Sequence, residues 1–134
     1  DSMLGQAAAQ KMMAGRAGGS IIHMSSQMGR IGGPNRSVYC ATKHGLEGLV
    51  KASALELAPE GIRVNAVAPT FVDTPLTKPF FEDKAFSDWV FERMPIQRLA
   101  TVEEVAAAVV YLAAPVSASV TGTSLAVDGG WTAQ

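Results

Sequence analysis

The sequence predicts an α/β fold built on a parallel sheet. Three features predict it. Stretches of helix-forming residues alternate with short β-branched stretches, in the order helix–strand–helix–strand–helix–strand. The first strand-like stretch is apolar on both faces, which suits a central strand covered by helices on both sides. With 134 residues, 48% apolar and 17% charged, the chain has the material for a buried core and the length of about one domain.

The elements follow in order. Residues 2–14 (SMLGQAAAQKMMA) are rich in Ala, Met, Gln and Lys, all good helix formers, and residues 15–19 (GRAGG) break the segment. Residues 20–24 (SIIHM) read as the first strand, and residues 25–37, with Gly29, Gly32, Gly33 and Pro34, as a loop. A long helix is expected over 38–58, stopped by Pro59 and Gly61. Residues 62–67 (IRVNAV) form the second strand, and 69–95 an irregular region with at most short helices. Thr101 and Glu104 have capping-box spacing, so the third helix starts there and runs to Ala114, before Pro115. Residues 124–127 (SLAV) form the third strand. There are no internal repeats.

Composition excludes several function classes. A net charge of −1, with the 11 basic residues scattered, argues against a nucleic-acid or anionic-membrane partner. The apolar stretches are too short to span a bilayer. Cys40 is the single cysteine, so an internal disulfide and a CxxC metal site are excluded, and a reducing, cytoplasmic compartment is expected. The first residues are Asp1-Ser2-Met3, with no initiator Met, so the lack of a leader pattern carries little weight. Two His and one Cys lack metal-ligand spacing. Ser25, Ser26, His23 and His44 do not make a hydrolase, because no GxSxG elbow is present; the histidines are given no role.

The long helix carries the chemistry. Tyr39, Lys43, Leu46, Val50, Ser53 and Leu57 recur at steps of four and three and share one face. Its apolar members should pack on the sheet, leaving Tyr39 and Lys43 where that face meets the loop after the first strand. An ammonium ~5 Å from a phenol, at an effective dielectric of ~20, favours the phenolate by roughly 3 kcal/mol, or about two pKa units. That moves a tyrosine toward neutral pH, where proton transfer is most useful. Such a pair is common in helices by chance, but Ser26 stands thirteen residues earlier at the end of a strand. Open parallel sheets bind ligands at that edge. On the opposite face of the helix, Ala41, Gly45, Gly48 and Ala52 form a small-residue stripe. It could pack against the first helix or against a second copy of the chain. The second is favoured, because a helix with two buried faces needs two covers.

On these residues the chain resembles the short-chain dehydrogenase/reductases. The matching stretches are residues 19–26 (GSIIHMSS), 39–43 (YCATK), 57–65 (LAPEGIRVN), 69–75 (PTFVDTP) and, further on, Thr121-Gly122 through Asp128-Gly129-Gly130. They stand in family order and cover essentially the whole chain. The resemblance implies the C-terminal half of a Rossmann-like, doubly wound parallel sheet. Residues 1–134 would then be part of one NAD(P)-binding domain, with a substrate lid over 70–96. It implies an alcohol–carbonyl oxidoreductase using NAD or NADP. Tyr39 would be the acid–base residue, Lys43 would lower its pKa and hold the nicotinamide ribose, and Ser26 would orient the substrate oxygen. Pro69, Thr70 and Val72 would lie along the nicotinamide and Thr74 would bond its carboxamide or the nearby phosphate. The family commonly has Gly where this chain has Thr70, which leaves less room for close backbone approach. Gln27, Phe71, Phe80, Phe81 and Trp89 would face the substrate; all five Phe and Trp89 fall within 71–91, and packing the lid is the alternative for these rings. The resemblance also implies a homo-oligomer, a dimer or tetramer, and leans toward sugar-acid or polyol substrates. No Gly-x-Gly-x-x-Gly turn follows a strand here. By the resemblance that turn, and a catalytic Asn, would precede Asp1, and the 134 residues alone would be inactive. The competing expectation is a non-catalytic assembly module of the same fold.

Overall fold

The computed structural model describes residues 2–133. The main elements are α1 (Ser2–Gly15), β1 (Gly19–Met24), α2 (Ser37–Leu57), β2 (Ile62–Pro69), α3 (Lys78–Phe81), α4 (Lys84–Phe91), α5 (Val102–Ala113) and β3 (Ser124–Val127). The strands form one parallel sheet in the order β1-β2-β3, with Gly19 opposite Ile62 and Ala66 opposite Ser124. Among the described residues no helix is long and apolar enough to cross a membrane.

Alternation along the strands covers both faces of the sheet. Ile21, Ile62, Val64 and Ala66 pack with Val50, Ala54, Leu57 and Met12, which belong to α1 and α2. The intervening residues face α5 and the segment after it. Ser20 Oγ donates to the Leu112 carbonyl at 2.9 Å, and the Arg63 guanidinium donates to the Val120 and Ala114 carbonyls. Asn65 is fully buried there, its amide donating to Val120 O at 2.8 Å and its Oδ1 accepting from Thr123 N at 3.1 Å. At the other edge, β1 and β2 begin on two left-handed glycines, Gly18 and Gly61. A Cβ on Gly18 would lie 2.6 Å from the Gly61 carbonyl, so the strands meet at a distance that only glycine permits.

Several expectations change. Among the described residues β2 lies between β1 and β3, and β1, paired on one side, is half-buried along most of its length. The loop over 25–37 contains a buried 3-10 turn, Gln27–Gly29. The small-residue stripe is exposed, and a Cβ built at Gly45 or Gly48 meets nothing within 4 Å, so α1 does not cover it. The capping box on α5 forms as expected, with both halves present.

Candidate active site

The site is assembled at the carboxyl ends of β1 and β2 by the residues that leave those strands. Ser25 N still pairs with Val67 O at 2.8 Å, so the strand geometry continues one residue past β1. Ser26 is extended and caps the 3-10 turn: its Oγ accepts from Met28 N at 3.2 Å and donates to Gln27 Oε1 at 3.0 Å. Both Ser26 and Gln27 are buried. Ser26 spends its one proton on Gln27, which leaves it a free acceptor lone pair.

Tyr39 and Lys43 stand in the first turns of α2, and Lys43 reaches the end of β1. Lys43 Nζ donates to the Met24 carbonyl at 2.8 Å, tying the helix to the end of β1. The same ammonium lies over the Tyr39 ring, 5.7 Å from its centroid. The hydroxyl of Tyr39 has no hydrogen-bond partner among the described residues, and the residue is 41% exposed. The ammonium therefore lies over the ring face while anchored to the backbone.

β2 leads into residues 70–96, the segment expected to be the lid. Thr70 is buried, with its amide on Val127 O at 3.0 Å and its hydroxyl turned to Met94 Sδ at 3.9 Å. Its side chain thus packs under the lid. Val72 forms an isolated parallel bridge with Ala100. That bridge uses the Phe71 carbonyl and the Asp73 amide, and leaves the Val72 N–H without a backbone carbonyl. Thr74 is engaged with Thr77: the two hydroxyls lie 3.1 Å apart, and Thr77 Oγ1 donates to Val72 O at 2.5 Å.

The rings of the lid pack on one another. Phe71 meets Phe81 and Phe86 edge-on at 5.6 and 5.5 Å, and Trp89 meets Trp131 at 5.4 Å. Phe71, Phe81, Phe86 and Trp89 pack against Val90, Met94 and Trp131, so these rings anchor the lid to the core. Phe80 is the exception at 53% exposed. A cavity of about 360 Å³ opens between the loop before α2 and the lid, lined by Pro34, Asn35, Ala85, Phe86 and Trp89. Sequence reasoning missed Asn35 and Phe86. The left-handed conformation of Asn35 (φ 58°) marks a loop turn that an Asn in a Gly/Pro-rich stretch could have suggested. His23 lies beneath α1, beside Gly5, with its pKa lowered by burial, and His44 contacts the Cys40 carbonyl within its own helix.

Residues 2–132 match the model of the family described as Enoyl-(Acyl carrier protein) reductase. The chain belongs to the short-chain dehydrogenase/reductase family. A D-beta-hydroxybutyrate dehydrogenase of Rhizobium meliloti (strain 1021) is 39% identical over 126 residues, which is 87% of this chain and 49% of that protein. A gluconate 5-dehydrogenase from Burkholderia cenocepacia J2315, in complex with NADP and tartrate, superposes with a TM-score of 0.90 at 36% identity, covering 96% of this chain and 50% of that one. A 4-hydroxyisoleucine dehydrogenase complexed with NADH superposes with a TM-score of 0.94 at 30% identity, covering 98% of this chain and 54% of that one. The chain spans about half the length of the curated relatives it matches. Short-chain dehydrogenases use a nicotinamide cofactor, and the donors at this edge fit its ribose and carboxamide. Lys43 has three N–H groups and spends one on Met24. The Tyr39 hydroxyl and the Val72 N–H are likewise uncommitted.

Proposed function

We propose that this chain forms the catalytic and substrate-facing part of an oxidoreductase that interconverts an alcohol and a carbonyl with NAD or NADP. The observation that carries the reading is the Lys43 tie to the Met24 carbonyl, two residues before Ser26, made while the same ammonium covers the Tyr39 ring. When bound, the nicotinamide supplies or accepts the hydride. Tyr39 then gives a proton to the substrate oxygen in reduction and takes it in oxidation. Lys43 keeps a positive charge near the phenol and has donors left for the ribose. Ser26 holds the substrate oxygen from the other side, its hydroxyl turning from Gln27 to donate to that oxygen when substrate is bound. Pro69, Thr70 and Val72 flank the nicotinamide, with the Val72 N–H available to its carboxamide, and Thr74 closes that end.

Residues 70–96 act as the lid, with Gln27, Phe80 and Trp89 toward the substrate, while Phe71 and Phe81 seat the lid on the core. The exposed stripe of Ala41, Gly45, Gly48 and Ala52 is the contact for a second copy. The relatives named above act on a hydroxybutyrate, on gluconate and on 4-hydroxyisoleucine, which supports a hydroxy acid or polyol as substrate. The test is a panel of hydroxy acids, polyols and their carbonyl forms with each nicotinamide, using the protein expressed from its natural gene. Turnover of one of these pairs, abolished by Tyr39→Phe, is expected. No turnover with any of them would refute the reading. The 134 residues alone, half the length of the relatives, are expected to be inactive.

A further inference from the structure

We propose that Glu47 is a positioning residue for this reaction: it holds the end of β1 against α2 and so sets Ser26 in place opposite Tyr39. The inference rests on the Ser26–Tyr39–Lys43 reading above. Residues 39, 43 and 47 are four apart and stand in one line along α2. Lys43 grips the carbonyl of Met24. One turn further on, Glu47 grips the next residue: its Oε1 accepts from Ser25 Oγ at 2.5 Å. The same oxygen accepts from Ser124 Oγ at 2.9 Å, at the start of β3. Consecutive turns of the helix thus hold consecutive residues of the strand end, and the next residue is Ser26.

The packing leaves this tie little freedom. Glu47 is 8% exposed on the face that otherwise carries Leu46, Val50 and Ala54 to the core. A carboxyl group is a costly choice there unless its hydrogen bonds are made. The turn that begins at Ser26 rests directly on it: a Cβ on Gly29 would fall 2.9 Å from Ser25 Oγ and 3.0 Å from Glu47 Cγ. Gly29 N in turn donates to Ser26 O at 2.8 Å. Moving Glu47 or Ser25 therefore moves the turn whose first hydroxyl is Ser26. Without this tie, Lys43 would make the one hydrogen bond from α2 to the end of β1 among the described residues. A misplacement of ~1 Å at a reacting centre costs on the order of 10²-fold, and a partial one costs less.

The test is a double-mutant cycle in the protein expressed from its natural gene. Ser25→Ala removes one donor with almost no change of volume and is expected to lower kcat about tenfold, with the cofactor KM within about twofold. Glu47→Ala should lower kcat at least as far. Glu47→Gln, which keeps an oxygen acceptor in place, should recover most of the loss; Ser25→Ala and Glu47→Gln keep the test available if Glu47→Ala does not fold. In a Ser26→Ala background the losses from Ser25→Ala and Glu47→Ala should disappear, because they act through Ser26. Unchanged kcat in Ser25→Ala, or losses that multiply fully with Ser26→Ala, would overturn the proposal. Wild-type kcat in Ser26→Ala alone would overturn the Ser–Tyr–Lys reading itself.

Discussion

Tyr39→Phe separates chemistry from packing more cleanly than any other change at the site. It deletes one oxygen. The ring remains, and so does its face toward Lys43, 5.7 Å from the ammonium. That contact is of the kind worth ~0.5–1 kcal/mol at an exposed position, and it is retained. The lost hydroxyl has no partner among the described residues, and the residue is 41% exposed, so no buried group is orphaned. The expected change in unfolding free energy is therefore within about 0.5 kcal/mol. The expected change in rate is far larger. Losing the proton donor should lower kcat by on the order of 10²–10⁴, which is about 3–5 kcal/mol of transition-state stabilisation. Steady-state turnover by nicotinamide absorbance and urea unfolding on the same preparation measure both. A kcat within about threefold of wild type would remove Tyr39 from the proton-transfer role. A loss of stability above about 2 kcal/mol would make Tyr39 a packing residue and void the separation.

Asn65→Leu should destabilise the fold by about 1–3 kcal/mol, because the Thr123 amide loses its partner while the Val120 carbonyl keeps the Arg63 guanidinium; a change below about 0.5 kcal/mol in urea unfolding would contradict this. The Glu104 carboxyl is lowered from its ordinary 4.5 to about 2 by the Arg98 guanidinium and the Thr101 amide. It binds its proton more readily unfolded, so its contribution is complete above pH 4.5 and is lost as the pH falls toward 2. The stability gap between wild type and Glu104→Gln should therefore shrink through that window, and a constant gap would refute the assignment. Gly48→Gln meets no atom within the chain and replaces a poor helix former, so the chain should gain up to about 1 kcal/mol. If the stripe is the subunit contact, the same change should dissociate the assembly in light scattering; an unchanged assembly would place the contact elsewhere.

Local rules carried most of the fold. The Thr101–Glu104 capping box, the strand at 124–127 and the arrest of α2 before Gly61 were legible because each depends on neighbours in sequence. Tyr39, Lys43 and Ser26 were legible as a spacing, but the hydrogen bond from Lys43 to the Met24 carbonyl depends on how the loop between them folds. Glu47 was the least legible. Between Leu46 and Gly48 it reads as a solvated helix residue, and only the approach of Ser25 and Ser124 from two strands makes a buried carboxyl tolerable. The lid rings were ambiguous for a similar reason, since Phe71, Phe81 and Trp89 gain a common core only once Trp131 folds back onto them.

That last contact has a practical consequence. These 134 residues hold two tryptophans, and they touch. Trp89 lies in the lid and Trp131 in the turn after β3, with Phe71 beside Trp131 and the Arg93 guanidinium 4.6 Å above the Trp89 ring. The fluorescence of this pair is thus an optical gauge of one place, the seam between the lid and the turn beyond the sheet. A ligand that shifts the lid should change the emission without any introduced dye, while events confined to α1 or to the exposed stripe of α2 should leave it dark.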